Sequence, residues 1–402
     1  MHAEGFIQDL AIIMLVAGFV TLLFHRLKQP VVLGYLLAGI IIGPYTPPFA
    51  LIHDQHTIHT LAELGVVFLL FSLGLEFSIK KLAQVGIAAF IAGLTEIAVM
   101  IWLGYYIGAF FGWSTMDSLF LGAMLAISST TIIIKALDGL NLKKEAFAKL
   151  IFGILIIEDI LAIAILVLLT GVATSGTVST AAVFSTLGQL TLFIVVSLVV
   201  GILSIPRLLN YIDSFKSQEM LLVSVLGLLF GFCLLVIKLN YSMALGAFLI
   251  GAIIAESRQV KKIEHLIEPI RDMFSAIFFV AIGLLFNPNV LIDYALPIAL
   301  ITIAVVVGKV ISCSAGAFLA GKDARTSVKV GMGLAQIGEF SFIIASLGIS
   351  LKVTSEFLYP IAVAVAAVTT LLTPYLIRYS DATSHKLAFL LPNKMKQVGS
   401  AY

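Results

Sequence analysis

The sequence predicts an all-α protein that crosses a lipid bilayer many times. Sixty per cent of its 402 residues are hydrophobic and only 11% are charged, which leaves too little polar surface to cover a water-soluble fold. Apolar runs of 18 or more residues recur along the chain, and bilayer thickness makes each run a candidate membrane-spanning helix. The net charge of +2 includes no basic block, so a nucleic-acid partner is not expected.

Thirteen spans result when the chain is divided at its Pro, Gly, charged and polar segments. The second and ninth spans are short. The first is expected to be a retained helix rather than a signal peptide, because Arg26 and Lys28 follow its apolar run instead of preceding it. The spans run approximately over residues 6–25, 30–43, 61–79, 84–111, 117–137, 146–170, 182–206, 218–237, 241–256, 263–285, 291–319, 327–350 and 355–378.

The basic residues test this count independently, because cytoplasmic loops carry an excess of Lys and Arg. Of the 24 basic residues, all but Lys238, Lys309 and Lys352 follow an odd-numbered span. This distribution predicts an odd number of helices in a bacterial inner membrane, with the N-terminus outside and the C-terminus in the cytoplasm. The predicted domains are a transport domain over 1–379 and a cytoplasmic tail over 380–402.

Spans 5 and 12 carry residues that weaken a helix at its centre. Span 5 contains Ser128, Ser129, Thr130 and Thr131, whose side chains compete for backbone hydrogen bonds. Span 12 contains three glycines at 331–338, which lower helical preference. Two broken helices seven spans apart predict inverted-topology repeats in which the broken segments cross at mid-membrane, where transporters bind their substrates.

Three ionisable residues lie at membrane depth, where each charge costs about 2.5–3.5 kcal/mol unless it is paired or hydrated. Glu158 and Asp159 lie in the middle of span 6, and Lys309 lies at similar depth in span 11. Two acids and one base leave a net negative site, which a proton or a cation must neutralise. Hydroxyls from span 5 and freed backbone carbonyls supply the oxygen ligands that an alkali cation prefers.

A simpler interpretation of the same residues stays open. In it, Glu158 and Lys309 form a structural ion pair, and Asp159 only faces a water-filled crevice. Two further acids are assigned roles from their positions in the spans. Glu339 is expected to compensate the positive end of a half-helix, with pH sensing as the alternative. Glu96, within span 4, is a candidate for lining a cavity.

The sequence resembles the monovalent cation:proton antiporter-2 family, which includes Kef-type potassium efflux proteins and bacterial sodium/proton antiporters. The resemblance extends over essentially every span. It implies that Asp159 is the essential ion- and proton-binding aspartate, that Lys309 is the lysine of its partner helix, and that Ser128 to Thr131 form the unwound crossing segment. The motifs that carry it are LGYLLAGIIIGP (33–44), LGVVFLLFSLGLEFS (64–78), LAISSTTIIIKAL (125–137), FGILIIEDILAI (152–163), MALGAFLIGAIIAES (243–257), IFFVAIGL (277–284) and GLAQIGEFSFII (333–344).

The chain departs from this family at two points. Charge-moving sodium-type members resemble one another in having Asp before the essential aspartate, and Kef-type members have Gln there, whereas this chain has Glu158. The second acid favours an electrogenic cycle in which Lys309 is released from Glu158 and loses its proton, with neutral exchange as the alternative. The nucleotide-binding regulatory domain of Kef-type proteins is also missing, so the protein is unregulated in that way or the chain has been shortened.

The expected function is secondary active antiport, in which Na⁺ or K⁺ and H⁺ occupy Asp159 in turn by alternating access. The core helices, about 117–170 and 291–378, are expected to move against a scaffold that also forms a homodimer in the bilayer. A potassium channel-like efflux protein and an ion-coupled symporter on the same fold are the alternatives. An enzyme is least expected, because no metal-binding pattern or activated nucleophile lies at membrane depth, and no cofactor is predicted.

Overall fold

Helices account for most of the residues that the computed structural model describes, which are 3–27, 31–46, 51–52, 55–76, 86–175, 180–239, 241, 243–284 and 289–390. The all-α prediction is confirmed over these residues, where no strand occurs. The helices are α1 (Ala3–Arg26), α2 (Val31–Ile42), α3 (Gln55–Glu76), α4 (Ile87–Phe110), α5 (Thr115–Leu125), α6 (Thr130–Gly139), α7 (Ala146–Ser175), α8 (Thr180–Asp213), α9 (Gln218–Lys238), α10 (Met243–Ala255), α11 (Val260–Leu284), α12 (Asn289–Asp293), α13 (Ala295–Leu319), α14 (Ala324–Gly333), α15 (Glu339–Ser350) and α16 (Leu358–Leu390).

Seven of the described helices are individually long and apolar enough to cross a membrane: α1, α4, α7, α8, α9, α13 and α16. Helices α2 and α10 are short, as the sequence predicts for the second and ninth spans. The last helix continues to Leu390, so the predicted tail begins as helix; the division at residue 379 stays a prediction. The total of thirteen spans stays a prediction.

Both predicted breaks are present. Span 5 is divided into α5 and α6 by non-helical residues 126–129, and span 12 is divided into α14 and α15 by residues 334–338. Each of these four helices has only 10 to 12 residues, so a pair of them is needed to cross a bilayer. The broken helices leave backbone groups free at the depth where the ionisable residues lie.

Contacts between Cα atoms divide the chain into two compact units. One contains the described residues of 1–81 and 167–286, with α1–α3, the end of α7 and α8–α11. The other contains those of 82–166 and 287–402, with α4–α6, most of α7 and α12–α16. Both broken helices and all three predicted ionisable site residues belong to the second unit, which we call the core unit.

Helices of the core unit approach one another closely where glycine removes a side chain. A Cβ atom on Gly316 of α13 would lie 2.7 Å from the Cα atom of Ala92 of α4, and one on Gly104 of α4 would lie 2.5 Å from the Cα atom of Gly122 of α5. Such distances exclude any larger residue without a shift of the helix. Small residues therefore fix α4 between α5 and α13, as is common in membrane helix packing.

Candidate functional site

The two broken helices cross through their extended segments. The backbone N–H of Gly338 donates a hydrogen bond to the carbonyl oxygen of Ile127 over 2.9 Å. A Cβ atom on Gly338 would lie 2.7 Å from the backbone carbon and oxygen of Ser128, so the crossing requires glycine there. The predicted crossing of spans 5 and 12 is thus present as direct backbone contact.

Gln336 satisfies the backbone of the opposite broken segment with its side-chain amide. Its Oε1 accepts a hydrogen bond from the N–H of Ser129 over 3.3 Å, and its Nε2 donates to the carbonyl oxygen of the same residue over 3.2 Å. Gln336 is completely buried, where unpaired backbone groups would be costly. Sequence reasoning did not assign this residue a role, although its position between the glycines of a broken span was visible.

Asp159 lies on α7 beside the start of α6. The hydroxyl of Thr130, the first residue of α6, donates a hydrogen bond to Asp159 Oδ2 over 3.2 Å. Both residues are partly exposed, unlike the fully buried acids nearby. The structure therefore brings a predicted carboxylate and a predicted hydroxyl together, and neither of them is fully buried.

Glu158 has a different environment from its neighbour in sequence. It is fully buried, and its Oε2 accepts a hydrogen bond from the backbone N–H of Ser128 over 2.6 Å. Because Ser128 lies just before α6, the carboxyl group of Glu158 is at the positive end of that half-helix. Glu158 thus anchors the unwound backbone.

Lys309 pairs with Glu96. Its Nζ lies 2.6 Å from Glu96 Oε1, and neither side chain is exposed. Lys309 also donates a hydrogen bond to the Ser128 hydroxyl over 2.8 Å. Pairing of Lys309 with Glu158, which the sequence suggested, is not the ion pair found, because Glu158 is engaged by the backbone of Ser128. Glu96 is a counter-ion rather than a residue lining a cavity.

The other residues predicted for the site differ in their hydrogen bonds and positions. The Ser128 hydroxyl accepts from Lys309 and donates to the carbonyl oxygen of Leu334 over 3.3 Å, so both of its hydrogen-bonding roles are taken. The Ser129 hydroxyl accepts from the N–H of Ile132 and caps α6. The side chain of Thr131 lies outside the described residues. Glu339 is the partly exposed first residue of α15, where a carboxylate complements the helix dipole.

Among the predicted residues whose side chains the structure describes, Asp159 and Thr130 bring a carboxylate and a hydroxyl oxygen together without full burial. An alkali cation takes hard oxygen ligands, as these are. The described part of the chain contains no cluster of three or more His, Cys, Asp or Glu residues that would hold a metal ion.

Comparison with known proteins identifies the fold and the family of this chain. The transmembrane sodium/hydrogen exchanger family matches residues 11–378. Among solved structures, the sodium proton antiporter MjNhaP1 of Methanocaldococcus jannaschii aligns with a TM-score of 0.69 at 17% sequence identity, covering 94% of this chain and 97% of that one. At this identity, the likeness concerns the fold alone.

Two curated relatives are more similar in sequence. YbaL of Escherichia coli is 34% identical over 384 residues, which cover 93% of this chain and 68% of the relative. K(+) efflux antiporter 5 of Arabidopsis thaliana is 33% identical over 383 residues, which cover 92% of this chain and 66% of the relative. This chain thus spans about two thirds of the length of these relatives.

Proposed function

We propose that this chain, which belongs to the transmembrane sodium/hydrogen exchanger family, is a secondary active antiporter that exchanges Na⁺ or K⁺ for H⁺. One observation carries the assignment of the site: the partly exposed carboxylate of Asp159 meets the hydroxyl of Thr130 beside the crossing of two broken helices. The names of the relatives mention potassium in one case and sodium in another, so both ions belong to the proposal.

Asp159 is proposed to bind the cation and the proton in turn. A carboxylate that holds a proton is neutral and cannot also hold Na⁺ or K⁺, so each ion displaces the other. A charged, empty site is expensive to move through a low-dielectric region, whereas either loaded form is neutral at this group. Alternating access of a site with this property couples the two gradients.

The experiment is proton flux in proteoliposomes, followed with an internal pH dye after addition of Na⁺, K⁺, Rb⁺ or Li⁺ outside. The wild-type protein should move protons against at least one of these cations, even when the proton gradient opposes the flux. A channel would let the cation through without that coupling, and a symporter would move protons in the direction of the cation.

Asp159→Asn should abolish the flux while the protein remains monodisperse in detergent. The matched control is Asp272→Asn, which removes an exposed carboxylate paired with Arg271 in the other unit. Cation-dependent proton flux that persists in Asp159→Asn would contradict the assignment of the site.

The proposal also includes the orientation of the chain in the membrane and its assembly into a homodimer. The basic residues support a cytoplasmic C-terminus in a bacterial inner membrane, which labelling of single cysteines from each side of the membrane would test. Homodimer formation through helices outside the core unit is expected from the family resemblance, and light scattering of the detergent-solubilised protein would measure it.

A further inference from the structure

We propose that Glu96 is the permanent counter-ion of Lys309, so that exchange at Asp159 moves one proton per cation and carries no net charge. This inference rests on the proposed function and concerns its stoichiometry. Glu96 is assigned as a positioning residue, since it acts through Lys309 and is not a ligand of the transported ion.

The ion pair is closed to water. Lys309 Nζ and Glu96 Oε1 are 2.6 Å apart, and both side chains have no exposed surface. Separating a buried pair leaves two uncompensated charges in a low-dielectric environment, which is strongly unfavourable. Separation of Lys309 from Glu96, or loss of the Lys309 proton, is therefore unfavourable when an ion binds elsewhere.

Lys309 and Glu158 attract each other electrostatically, and Glu158 also contacts the Glu96 side chain, but the closest polar contacts of Lys309 and Glu158 are with different groups. The ammonium group of Lys309 also donates to the Ser128 hydroxyl, while the backbone N–H of the same serine donates to Glu158. Glu158 is thereby committed to the start of α6, where the helix dipole favours a carboxylate. The proposed exchange therefore assigns no step to Glu158.

Helix packing keeps the pair intact. Gly316 of α13 packs against Ala92 of α4, and a Cβ atom on Gly308 of α13 would lie 3.0 Å from the Sδ atom of Met100 of α4. These contacts lie before and after Glu96 on α4, so the two helices are in close contact on both sides of the ion pair. Both helices belong to the core unit, so the pair need not separate when that unit moves.

The charge carried in each direction follows from these groups. Asp159 is neutralised by one monovalent cation in one loaded form and by one proton in the other, and the Glu96–Lys309 pair contributes no net charge to either. The two loaded forms therefore carry equal charge. A cycle in which Lys309 also released its proton would instead move two protons per cation and one net charge.

The number of protons exchanged per cation can be tested on the wild-type protein. Proteoliposomes would be divided between the pH-dye assay and capacitive current recording on a solid-supported membrane after a jump in cation concentration. We expect a change in internal pH without a transport current. A current that accompanies the pH change would overturn this inference but leave antiport intact, whereas the absence of a pH change for every cation would contradict the proposed function itself.

Two variants test the role of Glu96. In Glu96→Gln, Lys309 loses its counter-ion, although it still interacts electrostatically with Glu158. Release of the Lys309 proton on cation binding is then no longer opposed by Glu96, so exchange should acquire a current. In the double variant Glu96→Gln with Lys309→Gln, both charges are gone and exchange should again be free of current. Current-free exchange at the wild-type rate in Glu96→Gln would contradict the assignment, and so would an inactive single variant that the double variant does not rescue.

Discussion

Gly338 and Ile127 are joined by a backbone hydrogen bond of 2.9 Å, although 211 residues separate them in the chain. This bond connects two helices that both break at that point, and it supplies a partner to backbone groups that lipid could not solvate. The same region contains the carboxylate that we assign to ion binding.

Gly338→Ala should disrupt the crossing. Its new Cβ atom would meet the backbone of Ser128 at 2.7 Å, and backbone cannot rotate away as a side chain can. Forcing an extra carbon into a packed site typically costs about 1–3 kcal/mol. We expect a lower melting temperature in detergent and slower exchange. The control is Gly227→Ala on α9, where the added Cβ meets nothing within 4 Å; equal behaviour of the two variants would refute the importance of the contact.

Gln336→Leu should weaken the unwound segment by a different route. The substitution replaces the amide with an apolar side chain and leaves the N–H and carbonyl of Ser129 without their partner. Each buried polar group left unsatisfied costs about 1–3 kcal/mol. Thermal unfolding and exchange rate should both decline relative to Gln218→Leu, which alters an exposed glutamine. A variant with wild-type melting and exchange would show that the segment does not depend on this amide.

Glu158 offers a comparison between loss of charge and loss of hydrogen bonding. Glu158→Gln keeps an oxygen that can accept the Ser128 N–H, whereas Glu158→Leu does not. If the residue mainly anchors backbone, the exchange rate should fall less in the Gln variant than in the Leu variant. Equal loss of exchange in both would indicate that the charge of Glu158, rather than its hydrogen bond, supports transport.

Asp323 caps α14 and gives a stability prediction that depends on pH. Burial disfavours its charge, but hydrogen bonds from Thr326 outweigh this effect and lower the pKa of Asp323 below its ordinary value. A lowered pKa contributes stability above the ordinary pKa of aspartate, and this contribution is lost as pH falls through the lowered value.

Asp323→Ala should therefore reduce stability by about 1 kcal/mol at neutral pH, as is usual for loss of an N-cap. Its difference in melting temperature from wild type should narrow in acid. Asp323→Asn retains a capping oxygen and should melt closer to wild type at neutral pH. A difference between wild type and Asp323→Ala that does not change with pH would exclude a contribution from the charge.

The sequence predicted the features that depend on local composition. Ser128 to Thr131 and the glycines at 331–338 indicated where two helices break, and the structure has both breaks there. Residue 159 was assigned because an acid in the middle of an apolar run is costly without a role. These inferences need only the neighbours of a residue along the chain.

The sequence did not predict which buried charges meet. Hydropathy places Glu96, Glu158 and Lys309 at similar depths, but it does not give the rotation of each helix about its axis. The close packing of α4 against α13 decides that Glu96 meets Lys309, and the fold around the break directs Glu158 to the Ser128 backbone. Gln336 was missed for the same reason, since its partners are 207 residues away.

The most direct test of the account is the exchange rate of the wild-type protein, measured against cation concentration at several pH values on the cation side. If the cation and the proton occupy Asp159 in turn, a lower pH should raise the cation concentration needed for half-maximal rate and leave the rate at saturating cation unchanged. A half-saturating concentration that stays constant while the saturating rate falls would contradict competition for a single carboxylate.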